Sequence, residues 1–270
     1  MLDELRRLYA AGKLVPFVGA GASKAVRWLR DGREVTSPTW DELVDRAALL
    51  LGFEKPSFLL ARGTPLQVLE YFRLRNGLAP LTNWLVREVD APNSAIQASV
   101  IHKALAGLTG CPIFYTTNYD DYIERALGLF GRQCQVIVEE QDMGAPAADC
   151  SVVKFHGDFN HPTEMVLSES HYENRLNFQN PLDLRLRSDM LGRTILFIGY
   201  SFRDPNVAYL FHMVQKHLVN KNSGKRAYIL FPEPSDFERK LFTARDIGVL
   251  SISRRDLEHG VADLLSRLAS

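Results

Sequence analysis

One recurrent unit constrains this chain more than any other feature. A short run of apolar, β-branched and aromatic residues stops abruptly at a small polar or glycine-bearing cluster. It occurs four times: LVPFV before GAGAS (14–23), PIFY before TTNYDD (112–121), SVVKF before HGD (151–158) and TILFI before GYSFRDPN (194–206). Such runs are too short for amphipathic helices and suit strands buried on both faces. Helix-length segments separate them, so the alternation predicts an α/β fold: a Rossmann-like, doubly wound, mostly parallel sheet. Ligands of such sheets bind beyond the carboxyl ends of the strands. The four clusters are therefore expected to meet at one edge.

The remaining elements fit between these runs. QVIV (135–138), RAYILF (226–231) and GVLSI (248–252) read as further strands. Helices are predicted over 2–12, 40–51, 64–75, 79–89, 95–107, 119–129, 168–192, 205–219, 236–246 and 256–268. Thr39-Trp40-Asp41-Glu42 and Thr64-Pro65-Leu66-Gln67 are capping boxes, the second with proline at the first helical position. Pro16 predicts that the first strand lies at an edge or a bulge. Residues 24–38 are polar and turn-rich and read as a loop. The whole of 1–270 reads as one α/β domain with helical insertions at about 39–108 and 165–192.

Composition removes several function classes. Lys+Arg and Asp+Glu number 32 each, so no global charge favours direct binding to nucleic acid or membrane. Cys111, Cys134 and Cys150 are widely spaced and make neither a disulfide framework nor a zinc ribbon. The N-terminal segment lacks the apolar core of a signal peptide, and no run reaches the ~18 residues of a membrane span. A soluble, cytoplasmic protein is expected.

Each cluster then has a chemical reading and a plainer one. Gly19 and Gly21 let backbone approach a pyrophosphate, but GAGAS is equally a tight turn, and it lacks the third glycine of a dehydrogenase fingerprint. In TTNYDD, Asp120 and Asp121 suit helix capping, while Asn118 suits contact with a ribose or an amide. His156 is the natural neutral-pH acid/base at a strand end, although an isolated buried histidine is more often structural. Asp204-Pro205 reads as an N-cap followed by proline, leaving Ser201 as the better ligand candidate.

Taken in order, GAGAS, Thr117-Asn118-Tyr119-Asp120, His156-Gly157 and Gly199-Tyr200-Ser201 resemble the sirtuin motifs, over about residues 14–230. The family's glutamine before the asparagine is Thr117 here. The Pro-Asp-Phe-Arg segment of the deacylases is absent, and no cysteine follows His156-Gly157, so no zinc module is expected. SPTWDELV and LFIGYSFRDPNV look like the sirtuin-like domains of bacterial anti-phage defence proteins, which typically hydrolyse NAD in abortive infection.

The resemblance implies NAD as substrate and cleavage of its nicotinamide–ribose bond. It places Gly19, Ala20, Gly21 and Ser23 on the pyrophosphate side, with Thr117 in the binding set. Asn118 orients the ribose, Asp120 contacts the nicotinamide side or fixes local geometry, and His156 is the general base. Gly199, Tyr200 and Ser201 line the adenosine side. The resemblance also implies a homo-oligomer and regulation by a partner, an ATPase or a nucleic-acid-guided protein. A deacylase or ADP-ribosyltransferase, a non-catalytic NAD or ADP-ribose-binding module, and an oligomerisation scaffold stand as alternatives.

Overall fold

The apolar runs pair into one sheet because neither of their faces can be left in water. The computed structural model describes residues 1–144, 148–176, 179–201, 204–209, 212 and 225–270. Its strands are β1 (Leu14–Val18), β2 (Arg27–Arg30), β3 (Arg33–Thr36), β4 (Ile113–Thr116), β5 (Cys134–Ile137), β6 (Cys150–Lys154), β7 (Thr194–Ile198), β8 (Ala227–Pro232) and β9 (Ile247–Ile252). Seven of them form a parallel sheet in the order β5-β6-β4-β1-β7-β8-β9. From β1 the chain crosses to β4, passes to the edge strand β5, comes back to place β6 between β5 and β4, and then lays β7 on the other flank of β1. The strand order reverses around β1, which opens a crevice at the carboxyl ends of β4, β1 and β7. The fold is Rossmann-like, as the alternation predicts.

Alternate residues of each strand feed two separate cores. Leu14, Val18, Phe114, Val152, Leu196 and Ile198 pack with Leu5, Leu105, Ile123, Val261 and Leu265 on one face. Val15, Phe17, Tyr115, Val153, Phe155 and Phe197 pack with Leu182, Leu186, Met190 and Phe242 on the other. Each such side chain contributes roughly 1.5–3 kcal/mol relative to exposure. That double burial is why the strands read as continuous apolar runs rather than alternating ones.

Pro16 does not mark an edge: β1 is the central strand. The reason lies in the ladder. Lys13 O accepts from Thr194 N–H and Gly19 N–H donates to Ile198 O, so odd residues of β1 bond to β7 and even residues face β4. The β4 ladder begins only at Phe17↔Tyr115, beyond Pro16, so the missing N–H costs no ladder bond.

Residues 24–38 are not a plain loop. β2 and β3 form an antiparallel hairpin whose turn, Asp31-Gly32, takes φ of 53° and 74°. Asp-Gly between two strand-like tetrads is the sequence signal for this turn. The helix expected over 95–107 is two, Asn93–Ala98 and Val100–Ala106, broken at Ser99, whose backbone is extended. The stretch 168–192 likewise holds Glu169–Asn174 and Pro181–Gly192. Asn180 caps the second, accepting from Leu182 N–H at 2.9 Å, and the residue before a proline avoids helical geometry. Of the helix expected over 205–219, residues 205–209 and 212 are helical, and the rest lies outside the described residues.

Both capping boxes form, Thr39 with Glu42 and Thr64 with Gln67. They open the helices Trp40–Leu50 and Pro65–Asn76, which pack with Ala79–Glu88 around Leu43, Val68, Leu69, Phe72, Leu81 and Leu85. This helical layer stands over the carboxyl edge of the sheet. No helix among the described residues is long and apolar enough to cross a membrane.

Candidate active site

A cavity of about 710 Å³ opens at that edge. All four clusters contribute to its wall: Ala20, Gly21 and Ser23; Thr117, Asn118 and Asp120; His156; Gly199, Tyr200, Ser201 and Asp204. Gly19 sits behind them, its N–H donating to Ile198 O.

The glycines hold two loops together. Gly21 N–H donates to Gly199 O at 2.8 Å. Gly199 has φ +61°, and a Cβ built on it would lie 2.3 Å from Ala22 N. Cβ atoms at Gly19 or Gly21 would lie 2.7 or 2.8 Å from Gly199 O. The loops after β1 and β7 thus approach backbone to backbone, which only glycine permits.

On one side of the cavity a hydrogen-bonded relay orients Asn118. Ser23 Oγ donates to Asp120 Oδ2 at 2.7 Å and accepts from Asn118 Nδ2 at 2.9 Å. A carboxylate only accepts, so the serine proton points to Asp120, and only the amide nitrogen of Asn118 satisfies the serine oxygen. That fixes the amide's orientation. Asp120 Oδ1 accepts from Tyr122 N–H at 3.3 Å, at the start of the helix Tyr122–Leu129. Burial pushes the Asp120 carboxyl above the usual carboxylate range, against the opposing pull of Lys154 and the Ser23 hydrogen bond.

Lys154, at the end of β6, lies beneath this relay and is fully buried. Its ammonium donates to Asp120 O and lies 3.1 Å from Glu124 Oε1. Burial alone would push Lys154 down, but the Glu124 and Asp120 carboxylates outweigh it and hold the group above its ordinary value. Sequence reasoning missed this residue. Its signal was present, a lone charge inside the apolar run SVVKF.

On the other side stands His156, 3% exposed. Its Nε2 lies 2.9 Å from Asp204 Oδ2, at ion-pair distance though off the line of an ideal hydrogen bond. The ring is flanked by Tyr172, edge-on at 5.3 Å, and by Phe155 at 5.7 Å. Asp204 also caps its helix as expected, Oδ1 accepting from Val207 N–H at 3.0 Å. Burial pushes its carboxyl up, but His156 and the hydrogen bonds outweigh that and hold it below the usual carboxylate range. The second role of Asp204 escaped the sequence, although a capping carboxylate always has a second oxygen to spend.

The remaining wall comes from the helical layer and the segment after β6. Trp40, Leu43, Leu66, Leu85, Val89 and Phe159 make it apolar. Tyr119, between Asn118 and Asp120, ties the two walls together by donating to Val166 O at 2.7 Å. Among the described residues no group of three or more His, Cys, Asp or Glu is placed to hold a metal ion.

Comparison with known proteins places this geometry in a family. Residues 112–250, more than half of the chain and including three of the four clusters, match the SIR2-like domain. The chain is 30% identical over 221 residues to "NAD(+) hydrolase ThsA" of Cytobacillus dafuensis, covering 80% of this chain and 40% of that protein. It is 27% identical over 237 residues to "NAD(+) hydrolase ThsA" of Acinetobacter baumannii (strain 532279), covering 86% and 45%. It is 29% identical over 247 residues to "Defense-associated sirtuin 2" of Bacillus subtilis, covering 88% and 23%. The chain therefore spans less than half the length of these relatives. With the matched residues supplying the strand-end clusters that carry Asn118, His156 and Gly199, the chain belongs to the SIR2-like domain family.

Proposed function

We propose that this chain is an NAD hydrolase that cleaves the nicotinamide–ribose bond to give nicotinamide and ADP-ribose, depleting NAD in anti-phage defence. The observation that carries the reading is the convergence of Asn118 and His156 on one cavity at the carboxyl edge of a parallel sheet, in a chain whose relatives are named NAD(+) hydrolase. Residues 1–270 act in this reading as a single catalytic unit with helical insertions.

The proposed chemistry follows from the residues. Nicotinamide departs from a ribose that becomes oxocarbenium-like, so the site has to hold the sugar in one geometry and admit a single nucleophile. Asn118, its amide fixed through Ser23, orients the ribose and the attacking water. Asp120 fixes that geometry, since both its oxygens are engaged. His156 takes the proton of the attacking water or of a ribose hydroxyl. Ala20 and Gly21, backed by Gly19, face the pyrophosphate; Gly199, Tyr200 and Ser201 line the adenosine side, and Thr117 completes the binding set. The apolar wall of Trp40, Leu43, Leu85 and Phe159 limits stray water. The electron pair of the broken C1′–N bond neutralises the pyridinium, and one proton is released per turnover.

Incubation with NAD and measurement of nicotinamide release tests the reading. Asn118→Ala and His156→Ala each abolish release, a loss of about 10²–10⁴-fold for a general base. Release that survives both substitutions overturns the site. ADP-ribose binding without release in any assembly state favours a binding module, and release only with an acylated peptide favours a deacylase. Homo-oligomerisation and control by a protein partner in the cytoplasm belong to the same proposal.

A further inference from the structure

We propose that Asp204 is a positioning residue for His156: it accepts the proton on Nε2, fixes that tautomer and leaves Nδ1 as the base facing the cavity. The proposal rests on the NAD-hydrolase reading only for what the base acts upon. The tautomer is a property of the free protein.

Three observations carry it. First, Val207 N–H holds Asp204 Oδ1 at 3.0 Å, and that cap sets the other oxygen, Oδ2, at ion-pair distance from Nε2, 2.9 Å. Second, His156 lines the cavity and is clamped between Phe155 and Tyr172. Third, the other described groups near the pair do not compete. Tyr119, Tyr172 and Tyr200 have their phenols pushed up by burial and stay neutral, and Asp183 is paired with Arg175. Asp204 is thus the anion placed to compensate a charged imidazole. In the buried interior such a pair sets both the tautomer and the direction of proton uptake.

The step balances. As the C1′–N bond breaks, its electrons pass to the nicotinamide nitrogen. Water oxygen bonds to C1′, its proton goes to Nδ1, and Asp204 stabilises the imidazolium until the proton leaves to solvent. An asparagine at 204 separates this role from capping. Its carbonyl still caps Val207, while its amide N–H₂ faces Nε2 and donates to it, which forces the proton onto Nδ1 and removes the base.

The experiment is a two-bond ¹H–¹⁵N correlation spectrum of the imidazoles, together with NAD kinetics of the whole chain. Wild-type protein shows His156 as the Nε2–H tautomer, and Asp204→Asn shows Nδ1–H. The variant keeps the wild-type Tm, keeps KM within about threefold, and loses ~100-fold in kcat. A wild-type Nδ1–H tautomer, or an Asp204→Asn variant with unchanged kcat, overturns the proposal. If the variant does not fold, the wild-type spectrum alone decides. An Nε2–H tautomer in a chain that never cleaves NAD sinks the hydrolase reading and leaves the positioning role standing.

Discussion

The two sides of the cavity use the same device and reach opposite electrostatic ends. Asp120 and Asp204 each spend one oxygen on the first turn of a following helix, at Tyr122 and Val207. Each spends the other on the residue that governs a candidate catalytic group, Ser23 beside Asn118 or His156 itself. On the Asp120 side burial outweighs the pull of Lys154 and the Ser23 hydrogen bond, and the carboxyl is driven up. His156 can carry charge, so burial loses and the Asp204 carboxyl is held down. One aspartate orients; the other prepares for a proton. Environments that push two acids apart in one site are how a single cavity divides its labour.

Breaking the scaffold shared by both sides gives the largest effect. Gly199→Ala adds a Cβ 2.3 Å from Ala22 N at a φ of +61°, so it carries both left-handed strain and overpacking against backbone. Together these cost about 4–5 kcal/mol. Chemical denaturation is expected to show a midpoint shift of that size. A near-wild-type midpoint would mean the two loops are not locked together.

Next in size is the charge beneath the Asn118 side. Lys154→Met leaves the buried Glu124 without its counter-ion, at a cost of about 3–4 kcal/mol. Replacing Glu124 with Gln in the same chain returns much of that loss, because the penalty is an unpaired charge rather than a lost methylene. Equal destabilisation of the single and double variants would refute the pairing.

The acid response of stability has a different origin from either side of the cavity. His102 is buried against Tyr122 and hydrogen-bonded to Ser99, and burial pushes it down to about 4 from 6.5. The unfolded chain takes up this proton first, so stability is full above pH 6.5 and falls as pH drops towards 4. The loss across that window is about 2–3 kcal/mol. His102→Gln is expected to flatten the slope in denaturation at pH 7.5, 5.5 and 4.5. His171, shifted downward by burial in the same sense, leaves a residual slope. An unchanged slope would return the acid sensitivity to the site carboxylates.

Legibility in the sequence followed the range of the physics. The sheet was readable because β1, β4, β6 and β7 are buried on both faces and announce it within five residues. The strand-end clusters were readable because backbone topology alone carries them to one edge. The hairpin at 27–36 is signalled by Asp31-Gly32, but its polar strands carry none of the apolar pattern that marks the sheet. The apolar wall was not readable. Trp40, Leu43, Leu85 and Phe159 look like ordinary core residues, and only the tertiary placement of the helical layer turns them toward a cavity. Nor was the second oxygen of Asp204 readable, since a cap is local and its partner lies 48 residues upstream at His156.

The smallest expected change discriminates best between the two sides. Ser23→Ala removes one hydroxyl that serves two partners, so Asp120 loses a donor and the Asn118 amide loses the contact that fixes its orientation. The stability cost is about 1 kcal/mol, that of one hydrogen bond. The kinetic cost is larger, about 10–100-fold in kcat, because a freed amide divides its time between two orientations and only one presents Oδ1 away from position 23. Asp120→Asn behaves differently. Its carbonyl still accepts from Ser23, only the long 3.3 Å cap from Tyr122 N–H is given up, and the loss in kcat stays under about tenfold. The same change at Asp204 is expected to be far more damaging, since there the lost charge is what His156 uses. If Asp120→Asn and Asp204→Asn cost the same, the two aspartates share one role, and the division between an orienting side and a proton-handling side is wrong.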